Sequence, residues 1–177
     1  MRQVVLYATA SLDGFIAELG GGMGWLDAAS EADTDFGYAD FYASIETMLM
    51  GSATYEFVLG ATDSFPHADR EVIVFTHRDL PIPAKSVTLV REEAAEFTRR
   101  LKDGEGGPIW LVGGGQVNAA LLDADLIDEI RLFVQPVLLG GGVPLFRAPH
   151  GGLKLALEAC VKWPLGVVEL RYCRAEG

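Results

Sequence analysis

The residues best suited to chemistry lie where short apolar runs give way to glycine. Residues 109–112 (Ile-Trp-Leu-Val) form such a run, three glycines follow at 113–115, and a helical pattern begins at Gly115. A glycine-rich turn between a strand and a helix exposes backbone N–H groups and the positive end of the helix dipole to an anion such as pyrophosphate. The sequence around this turn fits neither GxGxxG nor a P-loop. It is therefore either a phosphate cradle or a tight connection without a ligand.

Two further turns carry hydroxyl groups and cations at the ends of apolar runs. Residues 51–54 (Gly-Ser-Ala-Thr) could hold a second phosphate, or Ser52 could simply cap a helix. Residues 76–78 (Thr-His-Arg) suit a ribose phosphate, or form a solvated turn. Because turns at the carboxyl ends of parallel strands meet at one crevice in α/β folds, the three turns together predict a single anion-binding crevice.

The elements that would position these turns alternate between strand and helix. Apolar runs at 4–8, 48–50, 72–75, 87–90 and 109–112 are typical of strands covered on both faces. Helical spacing of apolar residues predicts helices over 35–46, 91–102 and 115–123. This alternation indicates parallel strands joined by crossover helices.

The last third of the chain has the period-two pattern of antiparallel strands. Apolar residues alternate over 130–134, 153–161 and 168–172, and the turn at 163–166 joins the last two strands into a hairpin with one solvated face. A turn centred between Pro164 and Leu165 places Cys160 opposite Glu169 and Cys173 opposite Ala156, so the cysteines do not pair. The glycines at 140–142 predict a bulge or wide loop.

These patterns predict one α/β domain over residues 1–177, with a mixed sheet of about eight strands that is parallel early and ends in an antiparallel hairpin. Half of the residues are apolar and 22% are charged, as in packed globular proteins. The net charge of −11 argues against nucleic acid or an anionic membrane as a partner. The chain shows no signal-peptide layout, no apolar stretch long enough to span a membrane and no metal-ligand spacing. With only two cysteines, a cytoplasmic setting is expected.

The order and spacing of these motifs resemble the dihydrofolate reductase fold. The similarity lies in residues 10–17 (Ala-Ser-Leu-Asp-Gly-Phe-Ile-Ala), 50–56 (Met-Gly-Ser-Ala-Thr-Tyr-Glu), 109–117 and 127–142. It is strongest to the C-terminal reductase domain of the bifunctional riboflavin-biosynthesis deaminase–reductase and its stand-alone bacterial relatives, and it covers essentially the whole chain. The resemblance implies a three-layer fold and a reductase that uses NADPH as its hydride donor.

The resemblance also implies where the cofactor would lie. The pyrophosphate would be cradled by Gly113, Gly114, Gly115, Gln116 and Val117, and met from the opposite side by Gly51, Ser52, Thr54 and Tyr55. The adenosine ribose would lie near Thr76, His77 and Arg78, and the nicotinamide would lie between Thr9 and Ile16, below a loop at 20–25. Relatives often carry Arg where this chain has Ser52, and a basic residue where it has Gln116. Any preference for NADPH over NADH therefore rests largely on Arg78.

The same resemblance suggests a proton donor. Folate reductases use an acid near the start of the second helical segment, and Asp35, sixteen positions before Gly51, is close to that spacing. Asp35 would share a helix face with Tyr38 and Tyr42, and burial there is expected to raise its pKa. Tyr38, Tyr42 and Trp25 are the expected substrate-binding side chains. Asp33, Asp27 or a bound water are alternative proton sources, whereas Asp13 is expected to shape its loop.

The leading hypothesis is thus an NAD(P)H-dependent reductase of a small pterin-like or pyrimidine-like heterocycle, or of another conjugated C=N or C=O group. One alternative is the riboflavin-pathway 5-amino-6-(5-phosphoribosylamino)uracil reductase, whose acidic pair after the Gly-x-x-Thr turn is replaced here by residues 55–60 (Tyr-Glu-Phe-Val-Leu-Gly). Another is a non-catalytic binding protein on the same fold. Relatives pair through their late strands, so a homodimer is expected.

Overall fold

The computed structural model describes residues 1–26, 34–147 and 153–175, and these form one large sheet with helices on both faces. The strands are β1 (Val4–Ser11), β2 (Phe15–Ala17), β3 (Thr47–Gly51), β4 (Glu71–Phe75), β5 (Val87–Val90), β6 (Ile109–Gly113), β7 (Glu129–Gln135), β8 (Val143–Pro144), β9 (Leu155–Lys162) and β10 (Val168–Arg174). The α-helices are α1 (Tyr38–Ser44), α2 (Ser52–Ala61), α3 (Ala94–Asp103) and α4 (Gly115–Asp123), and short 3₁₀ turns occur at Gly24–Leu26 and Pro164–Gly166.

The large sheet has eight strands in the order β5-β4-β3-β6-β1-β7-β10-β9. The first six of these run parallel to one another, while β10 is antiparallel to both β7 and β9. The predicted mixed sheet, parallel early and antiparallel at the end, is confirmed.

Two apolar clusters cover the two faces of the sheet. On one face α3 and α4 pack Phe97 and Leu121 against Leu6 and its neighbours. On the other face α1 and α2 contribute Phe41 and Tyr55. The fold therefore has three layers. The central strands are covered on both faces, which explains why their sequences are apolar at consecutive positions.

The first helix differs from its prediction. It begins at Tyr38 rather than Asp35, because Phe36 (φ 55°) and Gly37 (φ 76°) adopt left-handed backbone conformations that a right-handed helix does not admit. Asp35 thus precedes the helix and does not share a helical face with Tyr38 and Tyr42. By contrast, the prediction of α4 over residues 115–123 is confirmed at both ends.

The C-terminal hairpin contains a β-bulge that its sequence pattern concealed. Cys173 lies opposite Ala156 as predicted, but Cys160 lies opposite Leu170 and not Glu169. The register shifts because Arg171 pairs with Ala159 and the next residue pairs with Leu157, leaving Glu158 as the extra residue. The apolar residues of β9 therefore do not share one face: Leu155 and Leu157 lie on the face of Cys160, and Ala159 lies on the other.

A second, two-stranded sheet pairs β2 with β8 and was not predicted. This pairing connects the segment after β7 to the segment after β1 through backbone hydrogen bonds. Asp13 contributes to this, because its carboxylate accepts hydrogen bonds from the Ser11 hydroxyl at 2.6 Å and from the Gly140 amide at 2.7 Å. These bonds lower the pKa of Asp13, the Ser11 hydroxyl most of all. Its predicted role in shaping the loop fits this geometry.

No helix within the described ranges is long and apolar enough to cross a membrane.

Candidate functional site

The turns after β3 and β6 lie side by side at the carboxyl edge of the sheet. Met50 of β3 is paired with Gly113 of β6, so the segments that follow these two strands begin next to each other. A side-chain β-carbon placed on Gly114 would lie 3.3 Å from the Thr54 hydroxyl and 3.7 Å from the Gly51 amide nitrogen. The turns at residues 51–54 and 113–117 therefore lie against each other and form one concave site, the cradle. Only glycine at position 114 leaves the space between the two turns open.

Two helices begin at this cradle without side-chain caps. Gly51 is the N-cap of α2 and Gly114 is the N-cap of α4, and neither helix start receives a side-chain hydrogen bond. In α4 the first amide to find an intrahelical acceptor is that of Asn118, which donates to the Gly114 carbonyl. The preceding helical amides have no such partner, and together with the helix dipoles they favour an anion at this position. Ser52 is the first residue of α2, so its predicted alternative role as a cap is wrong.

The third predicted turn adjoins the other two. Phe75, the last residue of β4, is paired with Gly51, so residues 76–78 lie next to the cradle. Thr76 is buried and its hydroxyl accepts a hydrogen bond from the Arg78 amide at 3.0 Å. The Arg78 guanidinium makes two hydrogen bonds to the Glu56 carboxylate of α2, at 3.1 and 2.6 Å, while His77 is exposed.

Tyr55 can contact a ligand at the cradle only through its backbone. Its side chain is fully buried in the apolar cluster beneath α2, and its hydroxyl donates a hydrogen bond to the Pro81 carbonyl at 2.7 Å. The sequence places Tyr55 in the correct turn but does not reveal which way the ring points.

A groove of about 340 Å³ opens at the carboxyl ends of β1 and β7. β1 is the neighbour of β6 in the sheet, so the groove adjoins the cradle. Four of its nine lining residues are aromatic, and the others supply hydroxyl, amide, carboxylate and aliphatic groups. It is lined by Tyr7, Thr9, Leu26, Thr34, Asp35, Phe36, Tyr38, Phe133 and Gln135.

Asp35 lies at the groove, but its pKa is shifted in the direction opposite to the one predicted. Its carboxylate caps α1, accepting hydrogen bonds from the Gly37 amide at 3.0 Å and the Ala39 amide at 2.9 Å. These bonds, that from Ala39 first, lower the pKa of Asp35, whereas burial was expected to raise it. The expectation is wrong because Asp35 precedes α1 and stands exposed. The alternative acids Asp27 and Asp33 lie outside the described residues.

The three expected substrate side chains are not all at the groove. Tyr38 lines it, and Trp25 directly precedes the lining residue Leu26. Tyr42 packs against Tyr38, with ring centroids 5.6 Å apart, but does not line the groove. Its hydroxyl donates to the Asp69 carboxylate at 2.7 Å and lies 3.3 Å from Nδ1 of His67.

Sequence reasoning missed six of the nine groove residues, among them Tyr7 and Phe133. Tyr7 stacks on Phe41 with ring centroids 4.1 Å apart and also contacts Phe133 at 4.9 Å. Burial is the main cause that raises the pKa of Tyr7, so its hydroxyl stays protonated at neutral pH. Alternation along β1 and β7 could have identified both residues as neighbours of Thr9 on one sheet face.

Of the two predicted nicotinamide contacts, only Thr9 is a lining residue of this groove. Thr9 lines the groove from β1, and Ile16 is half-buried in β2. No group of His, Cys, Asp or Glu side chains within residues 1–26, 34–147 and 153–175 is placed to hold a metal ion.

Comparison with known proteins agrees with this architecture. The uncharacterized protein YwjB of Bacillus subtilis is 40% identical over 98% of this chain and 99% of its own. A solved structure from Shewanella sp. PV-4, assigned to riboflavin biosynthesis, matches with a TM-score of 0.86 at 27% identity, covering 99% of this chain and 100% of that one. Dihydrofolate reductase from Enterococcus faecalis, complexed with NADP(H), shares the fold with a TM-score of 0.71 at 18% identity, covering 98% and 97%. Residues 2–168 match the family described as the RibD C-terminal domain. The chain therefore belongs to the RibD C-terminal domain family.

Proposed function

We propose that the protein is an NAD(P)H-dependent reductase that transfers a hydride to a small heterocycle or to a conjugated C=N or C=O group. The proposal rests on the cradle, where the N-termini of α2 and α4 have no side-chain caps and Gly114 leaves space for a ligand, next to the groove with its aromatic side chains. Helix N-termini and open glycine turns suit a pyrophosphate, and flat aromatic walls suit a planar ring. The family to which the chain belongs supports a reductase of this type.

The cradle fits a nicotinamide dinucleotide. Backbone amides of residues 115–117 at the start of α4 and of residues 52–54 at the start of α2 would hold its pyrophosphate from two sides. Thr9 and Ile16 would line the nicotinamide ring, which when bound supplies the hydride. The groove walls of Tyr7, Phe133 and Tyr38 would hold the acceptor ring against it and exclude water.

Asp35 would act in proton delivery as an anion rather than as an acid. Its lowered pKa means that it is ionised at neutral pH and holds no proton of its own to give. At the groove wall it can orient a water molecule, which then protonates the reduced acceptor. Proton delivery by a water fits the described geometry better than direct transfer from the Asp35 carboxyl.

Arg78 is the proposed source of preference for the 2′-phosphate of NADPH. It lies beside the cradle on the β4 side, and in the structure its guanidinium is held by Glu56. A phosphate would have to compete with that carboxylate for Arg78. We therefore expect a modest preference for NADPH, with NADH as an effective second cofactor.

The riboflavin-pathway reductase is the second candidate, and the family match favours it. Its substrate carries a ribose phosphate, for which the groove would need a cation. Among the described lining residues none is basic. A smaller, uncharged heterocycle is the better fit. Assay of NADPH oxidation with 5-amino-6-(5-phosphoribosylamino)uracil as the hydride acceptor, against a panel of oxidised pterins and pyrimidines, separates the two.

The test of the proposed function is equilibrium binding of NADPH and NADH to the purified protein, followed by thermal unfolding. A ligand at 100 times its dissociation constant stabilises the folded state by ~2.7 kcal/mol, which raises the melting temperature by roughly 2–4 °C per kcal/mol. Absence of binding and of any thermal shift with either cofactor at millimolar concentration would rule out the reductase. Binding without turnover of any acceptor would instead support a non-catalytic binding protein on this fold.

We also propose a cytoplasmic homodimer. Cys160 and Cys173 are both free thiols, as a reducing compartment would maintain them. Leu153, Leu155 and Leu157, near the outer edge of the sheet, are 43%, 38% and 56% exposed, and a second copy would cover them.

A further inference from the structure

Arg147 lies over the start of α4, at the cradle. A β-carbon placed on Gly115, the first residue of the helix, would lie 3.1 Å from the Arg147 Nε and 3.7 Å from its Cγ. The same position is 3.5 Å from the Pro144 carbonyl of β8. The segment that follows β8 therefore crosses the helix start and brings a guanidinium to the uncapped amides.

The charge of Arg147 is unmatched by the rest of the described chain. Most other described arginines are paired with carboxylates, as Arg78 is with Glu56 and Arg171 with Glu169. Arg147 is exposed and makes no hydrogen bond or ion pair with residues 1–26, 34–147 or 153–175. A free guanidinium beside free helical amides concentrates positive potential at one point of a chain whose net charge is −11.

Asn118 provides a second, independent sign of a ligand at this turn. It is 1% exposed, its Nδ2 donates to the Leu145 carbonyl at 3.4 Å, and its Oδ1 has no hydrogen-bond partner. That oxygen lies against Gly113, 3.2 Å from where a β-carbon would be. A buried acceptor without a donor is costly unless a ligand supplies one. Because this oxygen is closed off from solvent, a ribose hydroxyl next to a phosphate reaches it only if the Asn118 amide turns towards the cradle.

We propose that Arg147 is the cation that neutralises the pyrophosphate of the bound dinucleotide, acting equally on NADPH and NADH. This inference rests on the proposed function. Arg147 lies at the helix that leaves β6, and Arg78 lies at the end of β4, two strands away in the sheet. Two strand spacings correspond to about 10 Å, so the two arginines would meet different phosphates of one dinucleotide. Arg147 thus sets affinity for either cofactor, and Arg78 sets the choice between them.

The test compares four variants by titration with NADPH and with NADH: Arg147→Gln, Arg147→Lys, Arg78→Gln and Arg99→Gln. Arg99 is an exposed arginine of α3 and controls for the loss of one positive charge. Arg147→Gln is expected to lower the affinity for both cofactors at least tenfold and by the same factor, because a charge-assisted contact is lost from the shared pyrophosphate. Arg147→Lys should reduce both affinities by a smaller factor. Arg78→Gln should reduce the affinity for NADPH alone, and Arg99→Gln should change neither affinity.

Thermal unfolding without cofactor separates binding from folding. Because Arg147 has no partner among the described residues, Arg147→Gln should melt at the wild-type temperature when no cofactor is present. If the wild type binds both cofactors and Arg147→Gln binds them as tightly as Arg99→Gln does, the inference is overturned and the proposed function stands. If Arg147→Gln loses only NADPH, its placement at the pyrophosphate is wrong. If the wild type binds neither cofactor, the proposed function itself fails.

Discussion

Asp35 caps a helix and, in the proposed mechanism, also orients the protonating water. Its two carboxylate oxygens accept the Gly37 and Ala39 amides, and the side chain also stands at the groove wall. Asparagine keeps one acceptor oxygen and so retains one of the two amide hydrogen bonds, whereas orienting a protonating water depends on the negative charge. The two roles can therefore be separated by substitution.

Asp35→Asn is expected to lower the melting temperature less than Asp35→Ala does and to lower turnover about 10²–10⁴-fold, because one capping bond survives while the charge is lost. Asp35→Ala should lower both. The measurements are thermal unfolding and turnover with saturating cofactor and a reducible substrate. Full activity in Asp35→Asn would mean that solvent protonates the product without help from this carboxylate.

His67 should make the stability of the protein depend on pH. Burial against Tyr42 and Trp110 lowers the pKa of His67 from its ordinary value of 6.5, although the nearby Asp69 carboxylate opposes the shift. The unfolded chain therefore binds a proton more readily than the folded one just below pH 6.5. It follows that the free energy of unfolding falls as pH drops from about 6.5 towards the lower, folded pKa.

The variant His67→Phe keeps an aromatic ring in the cluster and removes the titration. Urea unfolding between about pH 7.5 and pH 5 should show a decline in stability for the wild type and a shallower one for the variant. Asp69 does not interfere in this window, since the Tyr42 hydroxyl lowers its pKa below the ordinary 3.8. Equal slopes for the two proteins would show that His67 keeps its solution pKa.

Among the elements, the small sheet of β2 and β8 depends on one close approach of backbone to backbone. A β-carbon on Gly142 (φ 153°) would lie 2.1 Å from the Ala17 carbonyl oxygen, whereas one on the adjacent Gly141 would meet nothing within 4 Å. Only glycine permits β8 to pass β2 at this distance. Since β8 leads to Arg147, this contact also positions the segment over α4.

Gly142→Ala is therefore expected to destabilise the protein by ~1–3 kcal/mol, and Gly141→Ala to change its stability little. Chemical denaturation of both variants measures the difference. Gly142→Ala should also weaken cofactor binding, because the chain carrying Arg147 must shift. A pair of variants with equal stability would show that the loop accommodates a β-carbon at either position.

The elements that the sequence predicts correctly are those fixed by local chemistry. The start of α4 at Gly115 follows from glycines directly after an apolar strand, and the adjacency of the three turns follows from parallel topology. The late start of α1, the bulge at Glu158 and the place of Arg147 depend on contacts between distant parts of the chain. Period-two spacing in β9 could not reveal the bulge, since one extra residue moves later side chains to the opposite face.

For the whole molecule, the exposed leucines at the outer edge of the sheet predict association. The strand β9 pairs only with β10 in the described sheet, so its other edge is open and Leu155 and Leu157 lie unburied on one face. Light scattering after gel filtration should give about twice the chain mass of 19.1 kDa. Leu157→Glu should give the single-chain mass without loss of fold, whereas Leu19→Glu, at a leucine 87% exposed elsewhere, should leave the dimer intact. A wild-type protein that elutes with the mass of one chain contradicts the dimer.

A dinucleotide bound as proposed places its pyrophosphate between the starts of α2 and α4. A chain of 177 residues is within reach of backbone NMR, so the direct measurement is a titration of the ¹⁵N-labelled protein with NADP⁺. We expect the largest amide shifts at residues 52–54 and 114–117, smaller ones around Thr76 and Arg147, and none along β9. Amide shifts that cluster away from these two turns, or a spectrum unchanged at millimolar NADP⁺, would contradict this placement.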